Sequence, residues 1–128
     1  MQMTPKNPDN GIYPATPDYV HAMEVTGAAR FLFVSGTMGL DIDGTAPGDL
    51  GDQLSLLWSN IRRILAEADM TPENIVRVTS YLSDVSFVEA NQNARLHILG
   101  ERRVPTTAIV VQTLMPEWLV EIEIVAAA

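Results

Sequence analysis

The chain has 128 residues and no cysteine, which excludes a disulfide framework, a thiolate nucleophile and a cysteine-ligated metal site. Its net charge of −8 disfavours a nucleic-acid partner, because an acidic surface repels phosphate backbones. About 100–200 residues usually make one domain, so we expect residues 1–128 to form a single domain. With no secretory leader pattern and no apolar run near the ~20 residues that span a bilayer, the sequence predicts a cytoplasmic protein with no membrane partner.

The first half of the chain begins with a proline-rich segment. Prolines remove backbone donors, so residues 1–16 predict an extended N-terminal arm with few ladder hydrogen bonds. Strands are predicted over residues 19–25 and 31–34, the second apolar enough to be buried on both faces. Residues 41–51 are rich in glycine, aspartate and proline and predict a surface loop. The Asp-x-Asp-Gly pattern over 41–44 lacks the other ligands of a calcium loop, so no metal site is predicted.

Two helices and a strand follow. Apolar residues recur at three- and four-residue steps over 54–68, which predicts a helix of about five turns. Residues 71–73, Thr-Pro-Glu, predict a single capped helical turn, and the alternation over Ile75–Leu82 predicts a strand. A Ser-x-x-Glu capping box over 86–89 predicts the start of a second helix, which ends at Gly100.

Two further strands are predicted near the end of the chain, over residues 106–111 and 118–125. In the last strand Glu121 and Glu123 share one face. The opposite face carries three apolar residues: Val120, Ile122 and Ile124.

The resulting element order, β-β-α-β-α-β-β, predicts an α+β domain. Two helices can cover only one face of such a sheet. Residues 31–34 and 108–111 are nevertheless apolar on both faces. We therefore expect further copies of the chain to cover the other face.

Four segments carry a family resemblance: FLFVSGTMGLD, IVRVTSYLSDVSFVEANQN, VPTTAIVV and EWLVEIEIVA. Over residues 17–127 their order and spacing resemble the Rid (YjgF-type) family. The resemblance implies a chorismate-mutase-like fold, with a mixed sheet of about six strands and two helices on one face. It also implies a homotrimer with small-molecule clefts between subunits. The best-known members of this family hydrolyse reactive imines and enamines to 2-oxo acids and ammonia, without a metal or organic cofactor.

The resemblance also implies roles for particular residues. Glu121 matches the carboxylate that helps to position the attacking water, and is the predicted catalytic residue. Tyr19, Ser35, Gly36 and Asn91 match residues that border the substrate cleft. The alternation of glutamates around Glu121 is equally typical of a solvated strand face.

Position 107 departs from the family pattern. Active members carry an arginine there, which grips the substrate carboxylate, and this chain has Thr107. Bidentate guanidinium–carboxylate pairing has no equivalent in a threonine hydroxyl. The nearest residues for compensation in the sequence are Arg102 and Arg103. Thr107 is also the kind of β-branched residue that a strand favours.

Three functions follow from these observations. The first is hydrolysis of an enamine or imine other than the simple 2-imino acids, and the second is non-catalytic binding of a small metabolite by a trimer. The third, nuclease activity, is disfavoured by the net charge of −8 and the absence of a catalytic histidine pair. Thr107 divides the first two, and it predicts weak deamination of 2-iminopropanoate.

Overall fold

The structure, a computed structural model, describes residues 1–128 and contains six strands and two α-helices. Their bounds are β1 Gln2–Lys6, β2 Ala22–Thr26, β3 Phe31–Met38, α1 Leu50–Glu67, β4 Ile75–Leu82, α2 Val88–Leu99, β5 Thr106–Val110 and β6 Val120–Ala127. Two 3-10 turns, Pro72–Asn74 and Val85–Phe87, precede β4 and α2.

The strands are divided between two sheets. β1 and β2 form an antiparallel pair, and the other four form a mixed sheet in the order β3-β6-β4-β5. β4 and β5 run parallel, joined by α2, while β6 is antiparallel to both of its neighbours. The predicted α+β architecture is confirmed, with the six strands in two sheets.

One face of the four-stranded sheet packs against the helices. The period-2 prediction for the last strand is confirmed, since Val120, Ile122 and Ile124 are buried in the core. The apolar stripe of α1 meets them, and Leu57 and Ile61 are fully buried there. This packing turns the odd-numbered side chains of β6 to the other face.

The ends of the helices differ in part from their predicted positions. α1 begins earlier, at Leu50, because Asp49 caps it by accepting a hydrogen bond from the Asp52 backbone N–H at 3.1 Å. The capping box predicted over 86–89 is wrong. Asp84 caps the preceding 3-10 turn, and the Ser86 hydroxyl donates to its carboxylate at 2.7 Å. Gly100 ends α2 at a φ of 65°, which glycine adopts at no steric cost.

The N-terminal arm is more ordered than the prolines predict. Gln2–Lys6 pairs with Ala22–Thr26, and Pro5 lies opposite Met23. A two-stranded sheet has only edge strands, where a missing donor is tolerated. The expectation of few ladder bonds is therefore wrong for these five residues.

The side of the four-stranded sheet that faces away from the helices is uncovered, and we call it the open face. Phe33 is 77% exposed there, and Phe31 on the same strand is 54% exposed. Ile109 on β5, which pairs with Tyr81, is also exposed on this face. Two helices cover one face only, as the sequence predicts.

Neither α-helix combines the length and the apolar character that a bilayer crossing requires.

Candidate active site on the open face

The centre of the open face is polar. Strand pairing sets Glu121 on β6 opposite Tyr81 on β4, and Glu123 opposite Thr79. All four side chains are half-buried although no helix covers them. Two carboxylates and a phenol thus lie side by side between apolar flanks.

Gly36 provides the space for the Glu121 carboxylate. The pairing of β3 with β6 is interrupted between Val34 and Thr37, and Gly36 lies in this irregular segment. A Cβ atom on Gly36 would come within 2.8 Å of the Glu121 carboxyl carbon. Since φ at Gly36 is not in the left-handed region, the glycine is required for space rather than for backbone freedom. The structure therefore brings together two of the residues that the sequence singles out.

Tyr81 and Glu123 form a second pair beside Glu121. The Tyr81 hydroxyl donates a short hydrogen bond to Glu123 Oε1. This bond to a carboxylate raises the pKa of Tyr81, and partial burial and the nearby charge of Glu121 act in the same direction. A tyrosine is protonated at neutral pH even at its ordinary pKa of about 10, and the raised pKa of Tyr81 extends this range to higher pH.

Two cavities flank Glu123. One, of about 260 Å³, is lined by Gly36, Tyr81, Glu121 and Glu123 together with residues 111–114. The other, of about 230 Å³, is lined by Phe33, Val34, Arg77, Thr79, Glu123, Ile124 and Val125. We call them the Glu121 cavity and the Arg77 cavity. Each is large enough for a small metabolite.

Thr107 has a partner that sequence reasoning missed. Arg77 Nη2 on β4 donates to Thr107 Oγ1 on β5 at 2.9 Å. Thr107 pairs with Thr79, which lies two residues beyond Arg77 on β4. The Arg77 side chain therefore extends along the sheet to reach Thr107. The signal was present in the sequence, because the alternation over Ile75–Leu82 places Arg77, Thr79 and Tyr81 on one face.

Comparison with known proteins supports one assignment. Residues 11–128 match the family model described as endoribonuclease L-PSP. A RutC family protein of Aquifex aeolicus is 36% identical over 126 residues, which cover 96% of this chain and 94% of that protein. A RutC family protein of Pyrococcus horikoshii is 30% identical and aligns with 77% of this chain and 80% of its own length.

The solved structures agree. YyfB of Yersinia pestis, described as a protein of unknown function of the conserved Rid family, superposes with a TM-score of 0.86 at 28% identity. The alignment covers 100% of both chains. This chain belongs to the Rid family.

The two candidates for compensation of Thr107 in this Rid protein, Arg102 and Arg103, have other partners. Arg102 donates to the backbone carbonyls of Pro72 and Ile75, at 3.1 and 2.8 Å, and its burial lowers its pKa. Arg103 donates to the carbonyl of Pro17 at 2.9 Å and to further backbone oxygens beside it. The Arg102 guanidinium thus holds the segment at the start of β4, and that of Arg103 holds the segments before β2 and β5. Neither lines the cavities of the open face.

Three predicted cleft residues lie outside the Glu121 cavity of the single Rid chain. Tyr19 precedes β2 and stacks edge-on against His21, with ring centroids 5.8 Å apart. Asn91 lies on the buried side of α2, where its Oδ1 atom has no hydrogen-bond partner. Ser35 is exposed on β3, in the irregular segment beside Gly36.

The segment that carries Tyr19 is tied to α2 by a salt bridge. Arg95 Nη2 lies 2.9 Å from Asp18 Oδ2, and Arg95 Nη1 donates to the Asp18 carbonyl at 2.8 Å. Burial acts to raise the pKa of Asp18, but hydrogen bonds from Thr16 and Arg95 outweigh it and lower the pKa. The position of Tyr19 therefore depends on a buried charge pair.

A cavity of about 640 Å³ lies between α1 and α2 and contains none of the predicted site residues. No three His, Asp or Glu side chains converge as metal ligands would. In the loop over 41–44, the Asp41 carboxylate accepts hydrogen bonds from the backbone of Asp43 and Thr45. The side chains of the open face are therefore the candidate active site of this Rid protein.

Proposed function

We propose that the protein hydrolyses a reactive enamine or imine to a carbonyl compound and ammonia. Its substrate differs from the simple 2-imino acids, 2-iminopropanoate and 2-iminobutanoate. The observation that carries the proposal is the Glu121 carboxylate, seated over Gly36 in a cavity that also contains Tyr81 and Glu123. Membership in the Rid family supports the same reaction type.

The reaction needs one base and one water molecule. Glu121 accepts a proton from water as the water oxygen bonds to the carbon of the C=N group, and then returns this proton to the nitrogen. The resulting carbinolamine then loses ammonia and becomes the carbonyl product. Imine and water are thereby converted into carbonyl and ammonia with no change of oxidation state. Tyr81 donates its single O–H to Glu123, so its oxygen is placed to accept a hydrogen bond from the attacking water.

We propose further that the working form is a homotrimer with clefts between subunits. The exposed Phe31 and Phe33 support association through the open face. Tyr19, half-buried in the segment before β2, lies apart from Glu121 in one chain, which supports a site completed by a neighbouring copy.

An imine-trapping assay tests the catalytic proposal. An amino-acid oxidase generates imines in situ from a panel of amino acids, and semicarbazide traps the imine that escapes hydrolysis. The wild-type chain should lower the trapped fraction for bulky imines and have little effect on 2-iminopropanoate. Glu121→Gln should reduce the rate at least about a hundredfold, the scale of one general base. Glu67→Gln, a matched change on the exposed side of α1, should have no effect. Equal rates for Glu121→Gln and wild type would contradict the proposal.

A second function is favoured by Thr107, which brings no charge where active relatives carry an arginine. In this case the trimer binds a small metabolite without turnover. Calorimetry would then show binding of 2-oxo acids that is unchanged in Glu121→Gln, with no hydrolysis of any imine in the panel.

Endoribonuclease activity, named in the family description, is not proposed for this chain. The polar centre of the open face has two carboxylates, Glu121 and Glu123, against a single guanidinium, that of Arg77. A surface that tracks a phosphate backbone needs the opposite balance of charge.

A further inference from the structure

One cation of the chain lies on the open face without a charged partner. Of the 8 basic residues, Lys6 and Arg95 form salt bridges with carboxylates. Three donate to backbone carbonyls: Arg30, Arg102 and Arg103. Arg62 and Arg63 project from the exposed side of α1. The remaining cation is Arg77, which has no carboxylate within 4.0 Å although Glu123 lines the same cavity.

The guanidinium of Arg77 is anchored but far from saturated. It makes one hydrogen bond, from Nη2 to Thr107 Oγ1 at 2.9 Å. A guanidinium has five N–H donors, so four remain to be satisfied by water or by a ligand. Thr107 thus holds the group in one place while leaving an edge free for the two parallel hydrogen bonds that a carboxylate accepts. Such anchoring lowers the entropy lost when a ligand binds.

The surroundings of Arg77 define the rest of the ligand. Phe33, 77% exposed, and Val125 form an apolar wall of the Arg77 cavity, and Glu123 lies on its border with the Glu121 cavity. A volume of about 230 Å³ corresponds to roughly eight water molecules, at about 30 Å³ each, which suits a molecule the size of an amino acid.

We propose that Arg77 binds a carboxylate of the ligand, and that the ligand is a carboxylate-bearing imine or enamine with an apolar side chain. The carboxylate pairs with Arg77, the apolar group packs on Phe33, and the C=N nitrogen is directed toward the carboxylates of β6. The reaction rests on the function proposed above, whereas carboxylate binding by Arg77 does not require turnover. The charge absent from position 107 is in this way supplied from the neighbouring strand.

A pair of matched imines tests the role of Arg77. An amino-acid oxidase acting on phenylalanine supplies 2-imino-3-phenylpropanoate, and a flavin amine oxidase acting on 2-phenylethylamine supplies the imine without the carboxylate. Arg77→Met should lower kcat/KM for the first about ten- to a hundredfold, the range for a hydrogen bond to a charged group. The second imine should be hydrolysed within twofold of the wild-type rate. Arg77→Lys should recover part of the loss, since it keeps the charge but not the two parallel bonds.

Control variants separate carboxylate binding from structural effects. Arg62→Met removes the same side chain from α1 and should change neither rate. Thr107→Val should lower the rate with the carboxylate imine alone, by less than Arg77→Met does. Equal losses with both imines, no loss with either, or a change in sedimentation mass in Arg77→Met would overturn the inference.

A binding measurement keeps this test apart from the fate of the proposed reaction. Calorimetry with phenylpyruvate and phenylacetone compares a carboxylate ligand with a neutral one of similar shape. We expect the wild type to prefer phenylpyruvate and Arg77→Met to lose the preference. If this holds without turnover of any imine, the proposed reaction fails and the role of Arg77 stands. If Glu121-dependent turnover occurs and the preference does not depend on Arg77, the reaction stands and this inference fails.

Discussion

At the scale of single residues, the closest coupling in the site is between a glycine and a carboxylate on neighbouring strands. The volume that a side chain on Gly36 would fill holds the carboxyl group of Glu121. The geometry of Glu121 therefore depends on a residue that contributes no functional group of its own.

Gly36→Ala is expected to displace the Glu121 carboxylate and lower the rate of imine hydrolysis about a hundredfold, the cost of a misplacement near 1 Å. The matched control is Gly48→Ala, where an added Cβ meets nothing within 4 Å and φ is not in the left-handed region. Steady-state rates and urea unfolding should both be measured. An active Gly36→Ala protein would show that Glu121 has no need of this position.

Tyr81 has a raised pKa because Glu123 accepts its hydrogen bond. Glu123→Gln should therefore bring the ionisation of Tyr81 back toward pH 10, the ordinary tyrosine value, in an absorbance titration at 295 nm. Because the pKa of Tyr81 is raised in the fold, its hydrogen bond with Glu123 stabilises the fold fully at pH values below the pKa of Tyr81 in the unfolded chain. This contribution is lost as pH rises through the higher pKa of Tyr81 in the folded chain. Glu117→Gln, an exposed change elsewhere, should leave the titration curve unchanged. Identical curves for Glu123→Gln and the wild type would contradict the assignment.

At the scale of elements, a single charge pair joins the segment before β2 to α2. Arg95 has a side chain only 4% exposed, and its partner Asp18 is 19% exposed. Burial makes such a pair sensitive to the loss of either member, because the remaining charge has no water around it.

Asp18→Asn is expected to lower the free energy of unfolding by about 3 kcal/mol at pH 7, the lower end for breaking a buried pair. Because the pKa of Asp18 is lowered in the fold, its contribution is present above about pH 4 and is lost as pH falls through the folded value. The difference in free energy of unfolding between wild type and variant should therefore be smaller at pH 3 than at pH 7, as measured by urea unfolding at fixed chain concentration.

Glu24→Gln serves as the control, since it breaks the exposed pair with Lys6, whose charged atoms are 3.8 Å apart. Its cost should be at most about 1 kcal/mol. A similar cost for both variants would mean that the Asp18–Arg95 pair is solvated in solution.

At the scale of the whole molecule, the open face has two chemistries. Its centre is polar, with Glu121, Glu123 and Tyr81, and its β3 edge is apolar, with Phe31 and Phe33. An apolar patch of this kind marks an interaction surface. If three copies associate through their apolar β3 edges, the polar centre of each open face lies next to the boundary with a neighbouring copy.

Phe33→Glu is expected to convert the proposed trimer into monomers, because it places a charge where an aromatic ring would be buried. Sedimentation equilibrium should give about three times the 14.0 kDa chain mass for the wild type and the chain mass for the variant. Ile64→Glu, on the outer side of α1, should keep the wild-type mass. A wild-type chain that is monomeric at micromolar concentration would contradict both the trimer and the intersubunit clefts.

Local periodicity determined most of the fold from the sequence. The stripe of α1 and the alternation of β6 depend on residues a few positions apart, so they could be read without a partner. The Thr71 cap with Pro72 in the first turn was likewise predicted, and the structure confirms it. The family pattern added Glu121 and Gly36, which the structure places together.

The tertiary structure alone decided which distant segments pair. The pairing of Gln2–Lys6 with β2 and the donation from Arg77 to Thr107 both join residues far apart in sequence. The prolines of the N-terminal arm predicted few ladder bonds, and so disfavoured its pairing with β2. The hydrogen bond from Arg77 to Thr107 depends on the parallel register of β4 and β5. Hydrogen-bond partners across a sheet are set by strand order and register, which a one-dimensional pattern does not contain. For this reason the sequence predicted a missing charge at position 107, and the structure showed a guanidinium beside it.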